Sequence, residues 1–128
     1  MAGKLLIIDD DGDFRDAVST MLTSNGFEVL TAPNGKDGFA IAQEQMPDLI
    51  LLDVMMTNKT EGFDTARMFK DNEKTKNIPV IMVTGIKNDM QLAYDFKPDD
   101  EWLPVKAVVE KPINPEALIK VIEANIRK

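Results

Sequence analysis

The sequence predicts an α/β domain on an open, five-stranded parallel sheet with helices on both faces. Two observations carry this. Leu5-Leu6-Ile7-Ile8 and Leu49-Ile50-Leu51-Leu52 are continuous runs of bulky apolar residues, the signature of strands buried on both faces. Strand-like and helix-like stretches then alternate five times along the chain, as expected of βα units in a parallel sheet.

The first strand is expected over about Lys4–Asp9. The helix after it spans Asp13–Ser24, with Phe14, Ala17, Val18, Met21 and Leu22 on one face. Asp11 and Asp13 suit its N-terminus electrostatically, and Asn25-Gly26 closes it. Phe27–Thr31 is a short second strand. Asn34 caps a helix reaching Gln45, which carries Phe39, Ile41 and Ala42 and is weakened by Gly38. Met46-Pro47 breaks the chain before a third strand, Asp48–Asp53. Thr57–Glu61 is polar and reads as a loop, followed by a helix over Phe63–Asn72 with Ala66, Met68 and Phe69. Pro79–Val83 is the fourth strand, ending at Thr84-Gly85. Lys87–Phe96 reads as a helix, Lys97–Pro104 as a polar loop holding the sole tryptophan, Trp102, and Val105–Glu110 as the fifth strand. Asn114-Pro115-Glu116 starts the last helix with a cap, a proline and an acid in the first turn. Its inner stripe is Leu118, Val121, Ile122 and Ile126.

At 128 residues the chain reads as one domain, residues 1–128, with no output domain. Neither a signal peptide nor an apolar stretch of the roughly 20 residues needed to span a membrane is visible, so a cytoplasmic location without membrane insertion is expected. The net charge of −7 argues against direct nucleic-acid binding. With no cysteine and no histidine, any metal must be held by oxygen, which favours Mg²⁺, Mn²⁺ or Ca²⁺ over zinc.

Acids terminate both long apolar runs: Asp9-Asp10-Asp11 the first, Asp53 the third strand. Ligands bind at the C-terminal edge of open parallel sheets. If the two strands are neighbours, Asp9, Asp10 and Asp53 crowd together, and a hard divalent cation relieves their repulsion. Thr84 follows the fourth strand and Lys111 the fifth, so a parallel sheet brings all of these positions to one rim.

This composite resembles the receiver domain of bacterial two-component response regulators, of which the chemotaxis regulators are the simplest. The matching signals are I-I-D-D, L-I-L-L-D, V-T-G and E-K-P, and the resemblance covers essentially the whole chain. It implies a flavodoxin-like sheet with strand order 2-1-3-4-5. It also implies a phosphoacceptor, Asp53, that takes a phosphoryl group from a histidine kinase or phosphotransfer protein. Mg²⁺ would be held by Asp10 directly, by Asp9 through water, by Asp53 and by the backbone carbonyl of Met55. Thr84 and Lys111 would meet the phosphoryl oxygens. The protein would then be a phosphorelay switch acting on an output protein by contact, and not an enzyme beyond its own phosphorylation and dephosphorylation.

Three departures from the family pattern stand out. The run Val54–Gly62 lacks the usual proline and is one residue longer. Val108 replaces the usual aromatic three residues before Lys111, so an aromatic rotation cannot serve as the switch there. Lys97–Pro104 looks inserted. Met55 and Ile86, both apolar, occupy the positions that shape water access in the family, which implies a long-lived phosphoryl group. A second reading is a small Mg²⁺-dependent phosphatase of the haloacid-dehalogenase type, using Asp9-Asp10-Asp11-Gly12. In it, Asp13 replaces the usual threonine and Asp53 has no role.

Overall fold

The computed structural model describes residues 3–54, 59–84, 107–110 and 114–126. These form β1 (Gly3–Ile8), α1 (Gly12–Ser24), β2 (Phe27–Ala32), α2 (Gly35–Gln45), β3 (Leu49–Val54), α3 (Lys59–Asp71), β4 (Val80–Thr84), β5 (Ala107–Glu110) and α4 (Pro115–Asn125). The strands make one parallel sheet in the order β2-β1-β3-β4-β5. Both the class and the strand order agree with the sequence reading.

Alternation along each strand divides the core into two layers. Leu6, Ile8, Ile50, Leu52, Val80 and Met82 face one way and pack with Ala42 of α2 and with Ala66 and Phe69 of α3. Phe39 and Phe69 meet edge to face at 5.5 Å. Leu5, Ile7, Leu49, Leu51 and Ile81 face the other way and pack with Val18 and Leu22 of α1 and Leu118 and Ile122 of α4. A strand sandwiched between helix layers must be apolar on both faces, which is why β1 and β3 read as unbroken apolar runs.

Helix ends follow local chemistry. The Asp11 carboxylate accepts from the N–H groups of Asp13 and Phe14, Asn34 from Asp37 and Asn114 from Ala117, each satisfying an otherwise orphaned donor. Gly26, with φ of 93°, supplies the left-handed turn after α1. Met46 ends α2 in the left-handed region ahead of Pro47.

Two expectations need correction. Lys59–Glu61, read as loop, belongs to α3. Its first residues, Lys59-Thr60-Glu61-Gly62, are polar or glycine, so apolar periodicity registers only from Phe63. Ala17, expected on the buried face of α1, is exposed. At about 100° per residue it lies roughly 85° from the centre of the stripe set by Phe14, Val18, Met21 and Leu22. The elements expected over Lys87–Phe96 and Lys97–Pro104, Trp102 included, lie outside the described residues.

Gly38 weakens α2 intrinsically, and the packing shows why it is there. A Cβ at Gly38 would overlap Ile8 Cδ1, and one at Gly35 would overlap Thr65 Oγ1. The two glycines let α2 approach β1 and α3 closely. Gly35→Ala is expected to destabilise the fold by about 1–3 kcal/mol through overpacking. Gly38→Ala should cost less, because helix propensity returns about 1 kcal/mol and the Ile8 side chain can yield. Urea denaturation checks the order of the two; equal or increased stability for Gly35→Ala would contradict the close approach.

Candidate phosphoacceptor and metal site

The sheet register builds the site. Ile8 of β1 pairs with Leu52 of β3, so Asp9 and Asp53 are the next residues on neighbouring strands. The Asp9 N–H donates to the Ala32 carbonyl at 3.1 Å, which keeps the chain tied to β2 one residue past β1. Asp53 lies within β3 rather than after it, opposite Val83 of β4.

The carboxylates of Asp9, Asp10 and Asp53 come together, with one oxygen from each lying within 4.8 Å of the others. Their environments differ. Asp9 is buried and its Oδ1 accepts the Asp11 N–H at 2.8 Å. Asp10 is exposed, and among the described residues its carboxylate has neither a hydrogen bond nor an ion pair. Asp53 is half-buried, with both carboxylate oxygens shielded from solvent. At an effective dielectric constant of about 20, two unit charges this far apart repel by about 3 kcal/mol. That cost applies to Asp9 and Asp53 when both are ionised.

The donors fit a hard cation. All three are carboxylate oxygens, and the chain has neither imidazole nor thiolate to offer. Mg²⁺ takes one or two carboxylates and keeps several waters, which suits one exposed carboxylate beside two that are shielded from solvent.

The other expected site residues are placed less fully. Thr84 is the last residue of β4, opposite Val54 of β3 and Glu110 of β5. Its backbone therefore stands at the same edge as Asp53, one residue further on; its side chain lies outside the description. Met55 and Lys111 lie outside the described residues, as does the side chain of Val108.

The sequence reading passed over Arg15. Its guanidinium Nη1 donates to the Asp9 carbonyl at 2.6 Å. The available signal was a basic residue in the first turn of a helix, where the macrodipole disfavours positive charge, directly after an acidic run.

The family model for the response regulator receiver domain matches residues 5–123. The chain therefore belongs to the response regulator receiver domain family. It is 33% identical over 124 residues to Protein PilH of Pseudomonas aeruginosa, covering 94% of this chain and 95% of that protein. It is 34% identical to the phosphate regulon transcriptional regulatory protein PhoB of the same organism, covering all of this chain but 54% of that one. The chain thus spans about half the length of several of the curated relatives it matches. Among solved structures, the chemotaxis protein CheY4 of Vibrio cholerae superimposes with a TM-score of 0.80 at 28% identity, covering 96% of this chain and 98% of that one. The phosphatase reading finds no support here: the matched family is the receiver, and Asp53, idle in that reading, stands within the acidic group. Among the described residues, no helix is long and apolar enough to cross a membrane.

Proposed function

We propose that Asp53 is the phosphoacceptor of this receiver domain, taking a phosphoryl group from phosphohistidine on a histidine kinase or phosphotransfer protein. The observation that carries this is the meeting of Asp9, Asp10 and Asp53 at the C-terminal edge of adjacent parallel strands. In the reaction an Asp53 carboxylate oxygen forms a bond to phosphorus, the P–N bond to the donor imidazole breaks, and the imidazole leaves with the bonding pair.

A carboxylate attacks an anionic phosphoryl group poorly unless charge is neutralised. Mg²⁺ held by Asp10, Asp53, the Met55 carbonyl and, through water, Asp9 would supply part of that neutralisation. Lys111 pairs with a phosphoryl oxygen as a point charge, and the Thr84 hydroxyl donates to another. Phosphorylation adds about −1.5 to −2 charge and three strong acceptors. Thr84 and Lys111 respond to that charge, and the β4 and β5 units that carry them shift with it. Output from residues 1–128, read as a single domain, is a change in protein contacts in the cytoplasm. No turnover of an external substrate is involved, and no direct contact with nucleic acid.

Incubation with acetyl phosphate and Mg²⁺, followed by intact mass, tests the reading: one phosphoryl group per chain is expected. Met55 and Ile86 are apolar and cannot orient an attacking water, so the acyl phosphate should persist well beyond seconds after the donor is removed. Loss within seconds would contradict the assignment of those two positions.

A further inference from the structure

Arg15 occupies a position that helix physics does not favour. It stands in the first turn of α1, four residues after the Asp11 cap, where a positive charge opposes the macrodipole. It is half-buried, yet among the described residues it forms no ion pair, although Asp9, Asp10, Asp11 and Asp13 are close in sequence. Its guanidinium is spent on one acceptor, the backbone carbonyl of Asp9, at 2.6 Å. To reach it the side chain folds back toward Gly12, whose Cβ position would lie 3.6 Å from Nη2.

That bond closes a chain of contacts around the β1–α1 turn. The Arg15 backbone N–H donates to the Asp11 carbonyl at 3.0 Å, so a single residue ties both the Asp9 and the Asp11 carbonyls. The Asp11 N–H in turn holds Asp9 Oδ1, and the Asp11 carboxylate caps α1. Asp9 is thereby fixed at its amide, its carbonyl and its carboxylate. Asp10, the one exposed acid of the group, hangs between two residues that cannot move independently.

We propose that Arg15 is a positioning residue for cation binding. It clamps the β1–α1 turn so that Asp9 and Asp10 face Asp53 before the cation arrives, and the ordering cost is met in folding rather than in binding. This rests on the reading of the acidic group as a Mg²⁺ site. A purely electrostatic role makes the opposite prediction. A cationic side chain near the site repels Mg²⁺, so its removal would tighten binding.

The test is a Mg²⁺ titration of the full chain followed by backbone amide shifts, for wild type, Arg15→Ala, Arg15→Met and Arg15→Lys. Arg15→Met keeps the aliphatic stem and guards against loss of packing in Arg15→Ala. Removal of an outer partner of a metal ligand weakens affinity by about tenfold or more; that loss is expected for Arg15→Ala and Arg15→Met. Arg15→Lys, which can still donate once to the Asp9 carbonyl, should recover part of it. The Asp11 amide should exchange with solvent faster in the first two variants, while amides in the middle of α1 stay protected. Affinity in Arg15→Met equal to or tighter than wild type overturns the proposal. A wild-type protein that binds no Mg²⁺ overturns the metal reading, and this one with it.

Discussion

Asp53→Asn is expected to abolish phosphoryl uptake. The amide keeps the size of the side chain and loses the nucleophilic oxygen anion, so exposure to acetyl phosphate and Mg²⁺ should leave the intact mass unchanged while wild type gains one phosphoryl group. The substitution sits in the middle of the sheet, between β1 and β4, so the fold must be shown intact. That check carries its own expectation. Asp53 stands within 4.8 Å of two other carboxylates, and in metal-free buffer the neutral variant should melt higher than wild type because repulsion is relieved. A variant that melts higher and accepts no phosphate separates a chemical role from a structural one. A variant that gains the same mass as wild type would move the acceptor elsewhere.

Asp10→Asn carries the second large effect, on cation binding. Asp10 is the exposed acid of the group and has no hydrogen bond or ion pair among the described residues, so it is available to a cation without breaking any contact. Its neutralisation should weaken Mg²⁺ binding by more than about tenfold, at least the loss seen when an outer partner of a metal ligand is removed. In wild type, Mg²⁺ at 100 times its dissociation constant contributes about 2.7 kcal/mol. For a domain of this size that is a rise in Tm of about 10 °C. In Asp10→Asn at the same concentration a tenfold loss leaves about 1.4 kcal/mol, so about half of that rise or more should vanish. Differential scanning calorimetry with and without Mg²⁺ reads both; an equal Mg²⁺-dependent rise in the two proteins would remove Asp10 from the site.

Much of this architecture is legible in the residues, and the reasons are physical. Leu5 through Ile8 and Leu49 through Leu52 are each at most 2% exposed. A strand covered on both faces asks for four apolar residues in succession, and the shortness of both runs favours strand over buried helix. Asp11, Asn34 and Asn114 could be read as helix starts because a short polar side chain before an apolar period has one common use, to accept from the next turn. The acidic group followed from topology: two strands ending in acids become a site only if they are neighbours, and the β1–β3 pairing makes them so.

What stayed hidden depends on tertiary contact. Nothing in Gly38 itself says that Ile8 lies beneath it. Ala17 is apolar by type but sits at the margin of its stripe, where a methyl group adds little burial. The first turn of α3 has no apolar residue to mark it. Arg15 acts on a carbonyl six residues earlier, a partner with no signature in side-chain chemistry.

The residue that carries the phosphoryl group can be located chemically. After phosphorylation with acetyl phosphate and Mg²⁺, borohydride reduction converts an aspartyl phosphate to homoserine, and peptide mass spectrometry then locates it. Conversion at position 53, and at none of positions 9, 10 and 11, is the predicted result. Conversion at any of those three instead, or phosphate retained on a serine or threonine that borohydride leaves untouched, would contradict it.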